Sequence, residues 1–316
     1  MNVYKQAVRS PIPLVTLGVL VAIGCAPKTD RGRPRVALVM KSLANEFFKT
    51  MEDGARAHHE AHSAQYDLVA TGIKDEQDVG QQIRLIEQQI ADGVAAIVVA
   101  PADSKGLIPV CQKAAQAGIV VVNIDNKFDT LVLAERKVRV PFVGPDNRKG
   151  ARSVGDYLAR RLKAGDKVGI VEGIPTAFNG VERKRGFEDA MAAAGIVVAA
   201  SQSGRWETAM ANQVAAAMIS ETPGLKALLC ANDNMALGVV AALKAAGRDD
   251  VLVVGFDNIT AVRDLVKAGR ILATADQHGD QLAVFGIEYA LRALQSKAPA
   301  EDHETPVDLV TAETVR

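Results

Sequence analysis

The residues best placed to do chemistry in this chain are carboxylates, amides and aromatic side chains that stand just after short apolar runs. The run 36–40 leads into Lys41, Ser42, Asn45, Glu46, Phe47 and Phe48, and the run 119–124 leads into Asp125 and Asn126. Later runs lead in turn into Glu172 with a Gly/Pro/Thr loop, Asn232-Asp233-Asn234, Phe256-Asp257-Asn258, and Asp276-Gln277-His278. A carboxylate or amide carbonyl accepts hydrogen bonds from hydroxyls, an amide NH2 donates to them, and flat rings cover C–H faces, so the set suits a polyol. Taken singly, Asn45, Asn232 and Asp257 are equally well explained as helix N-caps, because each precedes a helical stretch. Recurrence at so many run ends is what favours a binding cleft. Other chemistries lack their residues: there is no Gly-x-Ser-x-Gly, no Walker pattern and no His/Cys metal spacing, so neither an enzyme nor a cofactor or metal is expected. His58, His59 and His62 lie in a polar helical stretch and read as a solvated face.

The elements that must position these residues follow from hydrophobic patterning. Near-continuous β-branched runs at 36–40, 66–70, 96–100, 119–124 and 140–144 alternate with helical stretches at 46–63, 76–92 and 104–117, the last stopped by Gly118. The rhythm restarts at 167–171, 197–201, 227–231 and 251–255, followed by a strand at 271–275, a helix over about 279–296 and a final strand at 307–310. Two βα arrays in 316 residues predict an α/β fold of two lobes, each with its own core. Residues 126–140, bearing Arg136, Lys137 and Arg139, read as a solvated hairpin or excursion between them. Lys+Arg and Asp+Glu both number 37, which argues against an electrostatic footprint for nucleic acid.

The N-terminus reads as a secretion signal. Lys5 and Arg9 precede an apolar run over 12–23 that is short for a membrane span and ends at Gly24-Cys25-Ala26. Ala22-Ile23-Gly24-Cys25 resembles a bacterial lipobox with Ala in place of its usual Leu, so Cys25 is expected to be the lipidated first residue of the mature chain; the alternative is cleavage nearby with Cys25 incidental. Residues 26–34 then form a tether. Cys111 and Cys230 read as small buried apolar residues, with no support for a disulfide.

At this point the chain resembles the ribose/galactose-type (type I) periplasmic sugar-binding proteins of ABC importers, nearest their ribose-binding members, over about 35–310. The resemblance is carried by 36–48, Ala100-Pro101-Ala102-Asp103-Ser104, Arg183 to Phe187, 231–238, 253–257 and 306–309, in family order and spacing. It implies a periplasmic binding protein type I fold: two doubly wound parallel-sheet lobes joined by a three-segment hinge near 144–145, 277–278 and 308–309. Lobe I would comprise 35–144 and 278–308, and lobe II 145–277 and 309–316, behind a signal sequence at 1–25. The resemblance further implies ligand contacts from Asn45, Phe47, Phe48, Asp125, Arg183, Trp206, Asn232, Asp257 and Gln277. Trp206 stands where the ribose-binding members have Phe.

One departure concerns specificity. The family's Asp-Arg pair is here Asp125-Asn126, and an amide does not replace a charged fork of five donors, which counts against ribose as the preferred ligand. A lysine leaving a strand end is ordinarily solvated; the alternative for Lys41 is that it supplies a compensating cation to the pocket. Glu46, in place of a family Pro, is expected to complement a helix N-terminus rather than touch sugar. The function implied is a monomeric substrate-binding protein for a monosaccharide or polyol, pentose or related, working with an ABC permease in the periplasm or cell envelope. The alternatives are a ribose-specific receptor, a chemotaxis or signalling sensor without transport, and the effector domain of a transcription regulator.

Overall fold

The computed structural model describes residues 1, 32–296 and 301–315. Cys25 and the expected signal from residue 2 onward, and most of the expected tether, lie outside them. The first array runs β1 (Arg35–Ser42), α1 (Glu46–Ala61), β2 (Asp67–Ile73), α2 (Val79–Ala91), β3 (Ala96–Val99), α3 (Ile108–Gln116), β4 (Val120–Ile124), α4 (Thr130–Glu135) and β5 (Phe142–Pro145). The second runs α5 (Asn147–Ala159), β6 (Lys167–Glu172), α6 (Phe178–Ala193), β7 (Val197–Ser203), α7 (Thr208–Glu221), β8 (Leu225–Cys230), α8 (Asp233–Ala245), β9 (Leu252–Val254), α9 (Thr260–Lys267) and β10 (Ala273–Asp276). The chain then adds α10 (Gly279–Gln295), β11 (His303–Thr305) and β12 (Asp308–Thr311).

These strands build two six-stranded sheets, ordered β11-β5-β4-β3-β1-β2 and β12-β10-β9-β8-β6-β7. All pairs are parallel except β10 with β12. Strand β1 shows why the runs are continuous: Val36, Leu38 and Met40 enter a core with α1 and α10, while Ala37 and Val39 enter another with α2 and α3. In the second sheet Ala227 and Leu229 face the α5 and α6 side, and Leu228 and Cys230 face α7 and α8. Burial on both faces is what parallel sheets require, and it removes the polar half of the strand alternation.

The backbone passes between the sheets at three places: after Pro145, at Gln277–His278, and at Pro306–Val307. The first is one residue later than expected because Pro145 pairs with Thr305 in the first sheet; the third is earlier because Asp308 pairs with Asp276 in the second. The expected excursion over 126–140 is instead helix α4, capped by Asp129, whose Oδ1 accepts from Leu131 and Val132 N–H. Arg136, Lys137 and Arg139 are exposed, as a solvated segment requires, but Phe128 is buried and anchors it. Helix α2 starts at Val79 rather than 76, since Asp78 caps it and Asp75 turns the chain by accepting from Gln77 and Asp78 N–H. Cys111 and Cys230 are buried free thiols, and burial pushes the Cys111 thiol up to about 12. No described helix is long and apolar enough to cross a membrane.

Candidate ligand-binding cleft

The carboxyl ends of both sheets converge on one cavity lined by Lys41, Asn45, Phe47, Phe48, Glu76, Asp125, Asn179, Arg183, Trp206, Asn232, Asp257 and Gln277. The space within it not filled by protein is about 230 Å³. Its lining is polar and charged with aromatic rings on both sides, the composition of a site for a small hydroxylated ligand. Nine of the lining residues are those expected from the sequence, together with Lys41; Glu76 and Asn179 are new.

From the first sheet, β1 delivers Lys41 and the N-terminus of α1 delivers Asn45, Phe47 and Phe48. Asn45 serves both readings: its Oδ1 accepts from Phe47 N–H at 3.0 Å as a cap, while its Nδ2 donates to Glu76 Oε1 at 2.9 Å. The rings of Phe47 and Phe48 meet edge to face with centroids 5.2 Å apart. Lys41 is buried, not solvated: its ammonium lies 3.0 Å from Asp125 Oδ2, 3.9 Å from Glu76 Oε2 and 5.2 Å from the Phe48 ring centre. Burial pushes the Glu76 carboxyl up, opposed chiefly by Lys41 and by the Asn45 hydrogen bond.

From the second sheet, Arg183 projects from α6 fully buried. Its Nε donates to Asn147 Oδ1 at 2.7 Å, and its Nη1 donates to Ala231 O at 2.9 Å and contacts Asp257 Oδ1 at 3.4 Å. The guanidinium stacks 3.7 Å over Phe256 and 5.7 Å from Trp206. Gln277 Nε2 donates to the same Asp257 oxygen at 2.7 Å. Burial pushes the Asp257 carboxyl well above the usual range, against the pull of Arg183. Asn232 accepts from Met235 N–H with Oδ1, capping α8. Among the lining residues Arg183 Nη2, Trp206 Nε1, Gln277 Oε1, Glu76 Oε2 and Asp125 Oδ2 are buried without a hydrogen-bond partner, two donors and three acceptors left for hydroxyl groups, although both carboxylate oxygens also face the Lys41 ammonium.

Backbone strain is concentrated here. Of the non-glycine described residues with positive φ, Asp125 (61°), Trp206 (69°), Asp257 (121°), Asn258 (54°) and His278 (53°) all line the cavity or the groove beside it. Asp and Asn tolerate that region; a tryptophan does so at a cost of about 1–3 kcal/mol, which surrounding structure must hold. Gly173 is part of that support, since a Cβ there would sit 2.1 Å from the Trp206 ring.

Asn126 is not a lining residue, which corrects the sequence expectation. It is fully buried behind Asp125, its Nδ2 donating to Pro101 O at 2.9 Å and its Oδ1 accepting from Ser104 Oγ and Asn179 N–H, both at 3.2 Å. Both lone pairs of Oδ1 and one N–H are thus committed to protein groups, in a side chain that does not reach the cavity. Glu76 was hidden by its assignment to a helix, although it follows a strand as the other site residues do. Asn179 was findable from Arg183: four residues apart on α6, the two share a helix face.

Comparison with known proteins agrees with this geometry. Residues 36–298 match the periplasmic binding protein domain. The D-ribose/D-allose-binding protein of Pseudomonas aeruginosa is 59% identical over 285 residues, 89% of each chain. An ABC transporter solute-binding protein from Burkholderia multivorans, solved with an unknown ligand built as alpha-D-erythrofuranose, is 58% identical with a TM-score of 0.87 over 89% of this chain and 100% of its own. A counterpart from Actinobacillus succinogenes with bound D-allose is 34% identical with a TM-score of 0.85 over 90% and 99%. With two mostly parallel sheets opening onto one polar, ring-lined cavity, this chain belongs to the periplasmic binding protein family.

Proposed function

We propose that this chain is the substrate-binding protein of a sugar ABC importer and captures one pentose-sized ring, D-ribose or its hydroxymethyl homologue D-allose, between two closing lobes. The observation that carries the reading is the cavity itself. Three carboxylates (Glu76, Asp125, Asp257), two cations (Lys41, Arg183) and aromatic rings from both sheets converge on one cavity, the donor, acceptor and ring set that a sugar requires. D-Ribose and D-allose in their pyranose forms share the ring hydroxyl pattern, and the relatives named for these sugars support that stereochemistry. Lys41, ion-paired to Asp125, supports the reading in which a cation compensates for the arginine absent at Asn126. The ligand contacts in this reading are Lys41, Asn45, Phe47, Phe48, Glu76, Asp125, Asn179, Arg183, Trp206, Asn232, Asp257 and Gln277.

The first lobe then comprises 35–145 and 278–305, and the second 146–277 and 308–315. Binding shifts the population toward the closed form because the sugar contacts both lobes only there. The protein acts without catalysis, in the periplasm, delivering sugar to a membrane permease as a monomer held by a lipid on Cys25. A thermal-shift and calorimetric screen of pentoses, hexoses, deoxysugars and polyols tests the ligand: D-ribose and D-allose raise the melting temperature, and silence from both with a response to an unrelated solute overturns the reading. Cys25→Ala releases the protein from the membrane fraction if the anchor is as described.

A further inference from the structure

Two helices of the second lobe begin behind residues that cannot cap them. The N-cap position of α6 is Ala177 and that of α9 is Ile259, and neither supplies a side-chain acceptor. Asn45, Asp78, Asp129, Asp146 and Asn232 cap α1, α2, α4, α5 and α8 from their own N-cap positions, and α3, α7 and α10 also start without a side-chain cap, so what distinguishes α6 and α9 is the acceptor that reaches them from the first lobe. The orphan amides of α6 and α9 are satisfied from across the cleft. Phe178 N–H donates to Ser104 Oγ at 2.9 Å and Asn179 N–H to Asn126 Oδ1 at 3.2 Å. Thr260 N–H donates to Glu46 Oε1 at 2.7 Å and Ala261 N–H to Glu46 Oε2 at 3.3 Å. Ser104, Asn126 and Glu46 all belong to the first lobe, each lying beyond the carboxyl end of a first-sheet strand. Glu46 stands in the first turn of its own helix α1, and its carboxylate also bonds the N-terminus of α9 in the opposite lobe.

We propose that these caps in trans are the ligand-independent part of lobe closure, so that Glu46, Ser104 and Asn126 set the open–closed balance without touching sugar. A helix N-terminus leaves its first amides to whatever acceptor is at hand, and a carboxylate there also meets the positive end of the helix dipole. A cap carried by the helix's own N-cap residue works in both open and closed forms. A cap carried by the other lobe works only when the lobes meet, which couples the two events. Ala177 and Ile259 leave those amides open to the acceptors of the first lobe. Apparent affinity scales with the fraction of protein in the binding-competent form, so weakening a trans cap raises Kd although no ligand contact changes. The inference rests on the reading that the lobes close on a sugar.

The test uses the full chain with Glu46→Ala and, separately, Ala177→Ser. The second gives α6 an acceptor of its own at a position already extended, with φ −94° and ψ 121°, so the cap from the first lobe loses its advantage. Amide hydrogen exchange is followed at both helix starts without ligand, and Kd is measured with D-ribose and with D-allose. In Glu46→Ala, exchange quickens at Phe178 and Asn179, which Glu46 does not touch; in Ala177→Ser it quickens at Thr260 and Ala261. Kd rises roughly 3- to 30-fold in each, the equivalent of one lost cap. Exchange at the distant helix start equal to wild type in both variants, or an unchanged Kd, overturns the proposal. Should neither sugar bind the wild type, the sugar reading fails by itself and the exchange comparison still decides whether the caps hold the lobes together.

Discussion

Replacing Lys41 with methionine removes a buried charge while keeping much of the side chain's volume, and its consequences can be worked from two distances. The ammonium lies 3.0 Å from Asp125 and 3.9 Å from Glu76. At an effective dielectric of about 20 these separations correspond to gross attractions of about 5 and about 4 kcal/mol. Desolvation offsets most of that when the network is intact. Without Lys41 two carboxylates remain buried side by side, and breaking a buried pair from one end costs about 3–5 kcal/mol. For a protein of this size each kcal/mol is worth ~2–4 °C, so the ligand-free protein should melt on the order of 10 °C lower at neutral pH.

The pH dependence gives the sharper check. Burial raises the Glu76 carboxyl in the folded protein above 4.5, so the unfolded chain releases its proton first. Stability attached to this group is therefore fully present below 4.5 and declines as the pH rises through the folded-state value. Lys41 is the main opposing influence, so Lys41→Met moves the folded value higher and deepens the decline. Urea unfolding at pH 4 and at pH 7.5 should show a small cost of the substitution at the acid end and the full cost at the neutral end. Adding Glu76→Gln should recover part of it, a non-additive coupling expected of groups in contact. A cost below about 1 kcal/mol at neutral pH, or one independent of pH and additive with Glu76→Gln, would refute the charge argument.

Arg183→Ala should raise Kd by roughly 1.5 to 3.5 orders of magnitude, since truncating a buried, hydrogen-bonded charge costs about 2–5 kcal/mol, and calorimetry with D-ribose and D-allose measures it. Gly173→Ala should displace the Trp206 ring, weaken binding and diminish the ligand-induced change in fluorescence of the single tryptophan; binding and spectrum like wild type would mean the ring is not held there. Asp233 is fully buried and pushed up to about 7 by burial, so its contribution to stability declines as the pH rises from 3.8 toward about 7. Asp233→Asn should remove that slope, about 1.4 kcal/mol per pH unit, from urea-unfolding profiles. It should also destabilise throughout, because Asp233 accepts from Thr274 Oγ1 and Ile259 N–H, and one amide end offers donors instead.

The fold was legible because a strand covered on both faces leaves no polar alternation, and runs such as Ala96–Val99 and Val120–Ile124 then stand out whatever their surroundings. The segment 126–140 was misread because its charges are indeed solvated: composition reports exposure, and only Phe128 at its base and the Asp129 cap reveal a helix. The same limit applies at the crossings between lobes. Whether Pro145 or Asp308 ends one sheet or begins the other is decided by a pairing partner more than 150 residues away in one case and 32 residues away in the other, as the Thr305 and Asp276 registers show.

Within the cleft, the legible residues are those whose side chains leave a strand end directly toward the cavity, Asp125 and Asp257 among them. The illegible ones are defined by partners. Lys41 and Glu76 each look like solvated charges alone, and only their meeting around Asp125 makes burial of both tolerable. Asn126 and Asp125 are adjacent in sequence and share a strand end, yet one lines the cavity and the other carries a hydrogen bond to the opposite lobe. The positive φ of Asp125 turns the chain between them, so neighbours in sequence face different tasks. In the proposed closure, Asn126 therefore bears on how the lobes meet and not on direct contact with sugar. Under the proposed closure, a residue that caps α6 from the other lobe alters every ligand's affinity together, so Asn126 sets overall affinity and discrimination between sugars falls to the residues that line the cavity.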